Sequence, residues 1–322
     1  MSYQFSIERP SASFRFPVVV MAGIVCAVIA AYTFAACGDR SPDQAAAGEP
    51  MVTTPAESVP ASTEKPALVI SGPVTFEVAD SAYRGRRYDD ATALFKAYTE
   101  GRPTNPWGFY MLGLSAWKAG DRVQAESAFV QALALDSTHV KSHLNLSRVL
   151  LEGGEPESAL VHIDAAISLD SSSSEPLRLQ GRAFEVLGKT DDAIAAYQRA
   201  IVTNDNDVWA LNNLGALYIR LERFEDAIGP LARAVELEDK VATFHNNLGM
   251  ALERIGQFGA AIEAYRAALA IEGTYGKAVA NLQRVEIVKQ DPGVTPVDLS
   301  ERSKKFQEEV DRWRQPVTTN QQ

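Results

Sequence analysis

Cysteine is almost missing. The 322 residues contain two, Cys26 and Cys37, and none follows Cys37. A disulfide framework and a thiolate metal site are therefore excluded from the rest of the chain. Histidine is scarce as well, with four residues: His139, His143, His162 and His245. His139 and His143 stand four apart, but a metal centre needs more ligands and an outer layer of partners. They read as packing residues, and no metal or other cofactor is expected. Sequence patterns for a phosphate-binding loop, a nucleophile elbow and a zinc-protease helix are all absent. Excess positive charge is missing too: 31 Lys and Arg stand against 41 Asp and Glu, a formal net charge of −10. That balance argues against nucleic acid as a partner, which needs a basic footprint.

Long apolar runs are lacking with one exception. Phe16 to Ala36 is uncharged and apolar, preceded by Arg9 and Arg15 and followed by Cys37-Gly38-Asp39-Arg40. Residues 1–36 therefore read as a signal peptide or membrane anchor. The run is long enough to span a bilayer as a helix. Alternatively, Phe34-Ala35-Ala36-Cys37 resembles a bacterial lipobox, which would make Cys37 the lipid-bearing residue. The abrupt polar switch after Cys37 favours the lipobox. Either reading anchors the chain in a bacterial cell envelope with the remainder outside the cytoplasm. Residues 37–71 are rich in Ala, Pro, Ser, Thr and Glu without apolar period and read as a disordered tether.

Periodicity dominates residues 72–275. Ala91, Ala125, Ala159, Ala193, Ala227 and Ala261 are spaced by 34 residues. Tyr98, Ala132, Ala166, Ala200, Ala234 and Ala268 keep the same period. So does a small column, Ala79, Gly113, Ser147, Gly181, Gly215 and Gly249, and a large apolar one, Phe95, Phe129, Ile163, Tyr197, Leu231 and Tyr265. A fixed period of this length signals a solenoid whose units bury their apolar faces only by stacking. Each unit holds two helix-like runs split by a turn, marked by Gly120-Asp121, Gly153-Gly154, Gly188-Lys189 and Gly256-Gln257. The small residues would let the paired helices approach, and the large one would fill the gap between a unit and the next.

Leu214-Gly215, Tyr218, Ala227 and Ala234, with Leu248-Gly249, Ala261, Tyr265 and Ala268, resemble the tetratricopeptide repeat. The usual closing proline is replaced by Ser137, Ser171, Asp205, Asp239 and Gly273, and the first unit is degenerate, as expected of a cap. The resemblance implies an all-α, right-handed α-solenoid of six tandem 34-residue helix-turn-helix repeats. It also implies a concave face lined by the first helix of each unit. Residues 276–290 continue the register as a capping helix. Residues 298–314 form an amphipathic helix with a stripe of Leu299, Phe306, Val310 and Trp313, opened by the capping box Asp298–Glu301. Folding back on the array and docking on a partner are both open to it.

The resemblance places Trp107, Tyr110 and Trp117 on the groove, then Lys141, Arg148, Arg178 and Arg182, then Trp209. Beside them stand Asn145, Asn213 and Asn247, whose amides would hold an extended peptide or bond a neighbouring helix. The arginines would take partner carboxylates. Asp191-Asp192 and Glu225-Asp226 stand at turn-to-helix junctions and read as structural. The expected function is a non-enzymatic, envelope-anchored scaffold binding a protein or peptide in its groove. The alternative is a non-catalytic, substrate-holding subunit of an envelope enzyme complex.

Overall fold

The computed structural model describes residues 72–289 and 293–315, which lie in one compact unit, Ala46–Gln322. The expectations for residues 1–36, for the tether 37–71 and for Cys37 fall outside the described residues. Within the described residues the secondary structure is entirely helical, and no helix is long and apolar enough to cross a membrane.

Six antiparallel helix pairs follow one another. They are α1 (Phe76–Arg84) with α2 (Tyr88–Gly101), α3 (Pro106–Ala119) with α4 (Arg122–Leu135), and α5 (Val140–Glu152) with α6 (Pro156–Leu169). Then come α7 (Ser174–Val186) with α8 (Thr190–Thr203), α9 (Val208–Arg220) with α10 (Phe224–Leu237), and α11 (Ala242–Arg254) with α12 (Phe258–Ile271). A thirteenth helix, α13 (Gly276–Val285), covers the last pair, and α14 (Leu299–Arg314) ends the described chain. The first helices touch one another from unit to unit, α3 to α5 to α7 to α9 to α11 to α13, and no two second helices make a comparable contact. The array therefore curves with its first helices on the inner side.

Helix starts are set locally. Asn105 precedes Pro106 and its side chain accepts from the Trp107 and Gly108 amides at 3.0 and 3.3 Å. Asp121, Asp207 and Asp298 cap α4, α9 and α14 in the same manner. Asp191, Asp192, Glu225 and Asp226 lie in first turns, where the helix dipole favours them. The turn inside each pair needs a left-handed residue. It is Arg86, Gly120, Gly154, Gly188, Glu222 and Gly256, again spaced by 34, with φ between 57° and 86°. Only glycine takes that conformation without Cβ strain, so Arg86 and Glu222 are strained positions.

The small column lies against the large column of its own unit. A Cβ added at Gly113 would stand 2.7 Å from Phe129, at Gly181 2.5 Å from Tyr197, and at Gly249 2.6 Å from Tyr265. Gly215 meets Leu231 in the same manner. All six large side chains, and Ala79, are fully buried. The large residue thus fills the space inside a unit, where the sequence reading had placed it between units. The reason is geometric: positions eight and twenty-four face each other across the antiparallel pair.

The C-terminal helix folds back. It lies on α10 and α8, on the second-helix layer, away from the inner face. Phe306 packs where Gly229 leaves room, since a Cβ at Gly229 would stand 2.9 Å from the Phe306 Cβ. Val310 is fully buried, and Leu299 and Trp313 join the same core. Arg302 pairs with Glu225 and Arg314 with Asp205, at 3.0 and 2.9 Å, and Ser303 donates to Glu236. The connection from α13 is held by Gln257, whose amide donates to the Thr295 carbonyl at 2.8 Å and accepts from the Val297 amide at 3.2 Å.

Two substitutions test this packing in one set of thermal and urea melts. Gly215→Leu should overpack the Leu231 contact and lower stability by about 1–3 kcal/mol. Glu222→Gly should relieve the left-handed strain and raise stability by about 1 kcal/mol. An unchanged Gly215→Leu midpoint would contradict the packing described.

Candidate protein-binding groove

The inner layer begins with an aromatic platform. Trp107 is 42 % exposed and its ring lies 4.9 Å from that of Tyr110. The edge of His139 contacts both, at 5.6 and 4.9 Å. Tyr110 is buried, and burial raises the pKa of its hydroxyl. That hydroxyl accepts from Asn145 Nδ2 at 3.3 Å. Trp117 is half-buried and its Nε1 donates to Glu152 Oε2 at 2.7 Å, joining unit two to unit three.

A guanidinium cluster follows. Arg148 is 7 % exposed, donates to Asn145 Oδ1 at 2.6 Å and pairs with Glu175. Its pKa is pushed down to about 10, chiefly by burial and then by the cations Arg178 and Arg182. Arg148 therefore stays charged at neutral pH. Arg178 is 4 % exposed, with Nε 3.5 Å from Asp207 Oδ2 and no hydrogen-bond acceptor for that Nε. Asp207 also accepts from Ser174 Oγ at 2.7 Å and, as the α9 cap, from the Ala210 amide at 3.0 Å. Arg182 is half-buried beside them, and Lys141 is exposed.

The asparagines form links between units. Asn145 reaches Tyr110, Asn247 reaches Asn212 at 2.9 Å, and Asn281 reaches Asn246 at 3.0 Å, each 35 residues back. The structure thus engages the Asn145 and Asn247 amides with neighbouring first helices. Asn213 is half-buried at the corresponding place. Trp209 is half-buried with its ring 5.0 Å from Phe244.

Sequence reasoning picked out the cations on these positions and passed over the acids among them. Glu152 and Glu175 stand at inner-face places of their units, as do Glu185 and Glu253. Glu185 pairs with Arg220 and takes the Tyr197 hydroxyl. Glu253 takes a bidentate contact from Arg284 at 2.8 and 2.9 Å and the Tyr265 hydroxyl at 2.7 Å. The same register that located the arginines locates these carboxylates. Charge pairs run along the inner face, and guanidinium is most concentrated at Arg148, Arg178 and Arg182.

Arg178 is a structural test case. Arg178→Ala leaves Asp207 buried without its counter-ion and should cost about 3 kcal/mol in urea unfolding. Lys141→Ala, at an exposed position, should change stability by less than about 0.5 kcal/mol. Equal effects would contradict the buried pairing.

Family models agree with this geometry. One described as "Tetratricopeptide repeat" matches residues 110–176 and 212–276, and one described as "TPR repeat" matches residues 181–222. A curated relative, "DnaJ homolog subfamily C member 7 homolog" of Schizosaccharomyces pombe, is 32% identical over 92 residues. That match covers 27% of this chain and only 19% of the relative. Among solved structures, PilW, described as a "widely conserved type IV pilus biogenesis factor", superposes with a TM-score of 0.57 at 19% identity. It covers 65% of this chain and 96% of PilW. A tetratricopeptide repeat protein from Parabacteroides merdae ATCC 43184 gives 0.55 at 11% identity, over 65% and 82% of the two chains. These structural likenesses establish the fold alone. With its unbroken 34-residue register, its six helix pairs and the family matches between residues 110 and 276, the chain belongs to the tetratricopeptide repeat proteins.

Proposed function

We propose that this protein is a non-enzymatic scaffold of the bacterial cell envelope whose groove holds a partner segment combining apolar and acidic side chains. The observation that carries the reading is the guanidinium cluster. Arg178 and Arg182 stand close enough to Arg148 to depress its pKa, on the inner face of a chain with net charge −10. Gathering like charges is costly unless anions compensate it, and Glu175 and Asp207 do so internally. Glu175 is the more exposed of the two, at 36 % of its side chain. A partner carboxylate would bind by replacing Glu175 on Arg148 and by bridging to Arg182. The exposed indole of Trp107, one unit away, supplies apolar burial for the same segment.

The anchoring half of the proposal rests on the apolar run before Cys37 and the polar tether after it. Mass spectrometry of the mature N-terminus tests it: an acylated Cys37 supports a lipid anchor, and an intact Met1 or Ser2 establishes an uncleaved helix.

The groove is tested with a partner recovered by pull-down from solubilised membranes of the native host. Arg182→Ala should weaken binding about tenfold at low salt and flatten its salt dependence, because the lost contact is charge-assisted. Trp107→Ala should weaken binding with the salt dependence kept. A partner that binds Arg182→Ala as tightly as the parent at every ionic strength would reduce the cluster to a structural feature.

A further inference from the structure

Three of the four histidines lie in the third unit or at its start: His139 just before α5, His143 in α5 and His162 in α6. His143 lies in α5 and is 8 % exposed. Its Nε2 stands 3.0 Å from the Ser137 carbonyl oxygen, and its Nδ1 stands 3.1 Å from Nδ1 of His162 in α6. A carbonyl only accepts, so Nε2 of His143 carries a proton. A neutral imidazole has one such proton, so Nδ1 of His143 is a lone pair and His162 must donate from its own Nδ1. One tautomer pair satisfies both contacts.

That arrangement holds at most one extra proton. The first can reside on His162 with its Nδ1–H still donating. A second, on His143, sets two N–H groups and two charges face to face. Burial lowers the His162 pKa, and the charge of His143 lowers it further, with no carboxylate among the causes to offset them. Asp164 on the same helix is engaged by Gln180 at 2.9 Å. His139, the residue preceding α5, stands at the positive end of that helix, which disfavours a cation. Its Nδ1 meets Ser142 Oγ at 2.6 Å. Its pKa is lowered first by burial, then by Lys141 and His143, against the opposing pull of Asp136.

The sixth unit supplies an internal comparison. His245 occupies the place of His143, and its Nε2 stands 2.8 Å from the Asp239 carbonyl, six residues back as in the third unit. The place of His162 is there taken by Ala264. The histidine-to-carbonyl contact is thus a reusable tie for the loop between units. The second histidine adds something the tie does not need.

We propose that the His143–His162 pair, which ties α5 to α6 inside the third unit and reaches the preceding loop through Ser137, is an acid-released latch, closed while the pair holds at most one extra proton and opened when a second loads it. Unfolded histidines titrate near 6.5. Because the folded pKa values of His162 and His139 are depressed, the stabilisation is complete above that value and is lost as pH falls below it. His139 carries the opening to the groove, since its ring edge supports Trp107 and Tyr110. The consequence for ligand binding rests on the groove function proposed above; the latch itself does not.

Hydrogen exchange of the full chain at pH 7.5 and 5.5 decides the matter without any ligand. Protection factors over residues 136–166 should fall by up to about tenfold per pH unit for each proton the folded pair refuses, while residues 239–268 keep theirs. His162→Ala recreates the sixth-unit arrangement and should shrink the acid-specific loss to the share that His139 carries, with neutral-pH protection retained. A loss shared equally by both units, or one undiminished in His162→Ala, overturns the proposal. Should that variant fold poorly, nitrogen-15 NMR of the parent at pH 7.5 gives an independent answer. His162 should be the Nδ1–H tautomer and His143 the Nε2–H tautomer; an Nε2–H His162 would refute the latch.

Discussion

One contact governs this molecule: a small residue in the first helix of each unit meeting a large one in the second. Backbone approach at Gly113, Gly181, Gly215 and Gly249 leaves no room for a Cβ, because Phe129, Tyr197, Leu231 and Tyr265 occupy the space. That contact fixes the distance between paired helices, and with it the turn. A turn of constant span demands a left-handed residue at a constant place, and the array supplies one even where glycine is missing, at Arg86 and Glu222. Strain at those two places is tolerated because the packing on either side determines the turn. The same contact makes the units interchangeable in geometry while leaving their inner faces free to differ.

A second layer of interactions works across units and is polar. Tyr110–Asn145, Asn212–Asn247 and Asn246–Asn281 repeat one step of 35 residues. These bonds lie between first helices, the helices that touch along the inner face, where an unpaired amide would be costly. Charge pairs share the layer: Arg148 with Glu175, Arg178 with Asp207, Arg220 with Glu185, Arg284 with Glu253. Each joins neighbouring units or a unit to the closing helix. The inner face therefore has two duties, stacking the array and presenting chemistry, and the same side chains perform both.

This double duty explains what was legible in the sequence. The fold was readable because it depends on residue size at fixed intervals, and size is a property of one residue at a time. The register assigned the inner-face places, of which Trp107 and Lys141 are exposed while Tyr110, Arg148 and Arg178 are buried. What the side chains do there was less readable. Arg178 is buried against a cap residue of the next unit, and no property of Arg178 alone announces Asp207. The stripe of α14 announced a docked helix, but its seat depends on Gly229, whose missing Cβ leaves room for Phe306, and nothing in the stripe itself points to that glycine. Pair properties need coordinates; single-residue properties do not.

The internal pairing also bears on the recognition proposed for this groove. Free arginines would bind an anion by attraction alone. Here Arg148 already holds a carboxylate and an amide, so an incoming acid gains only the difference between its contact and the one it displaces. That exchange lowers affinity for isolated acids and favours a segment that offers something more, such as apolar surface for the Trp107 ring. Glu175, two-thirds shielded yet still the more accessible counter-ion, sets the threshold. On the proposed function, an acidic chain that keeps its inner cations occupied would avoid indiscriminate anion binding, and specificity would come from the requirement that the aromatic and the guanidinium ends be satisfied together.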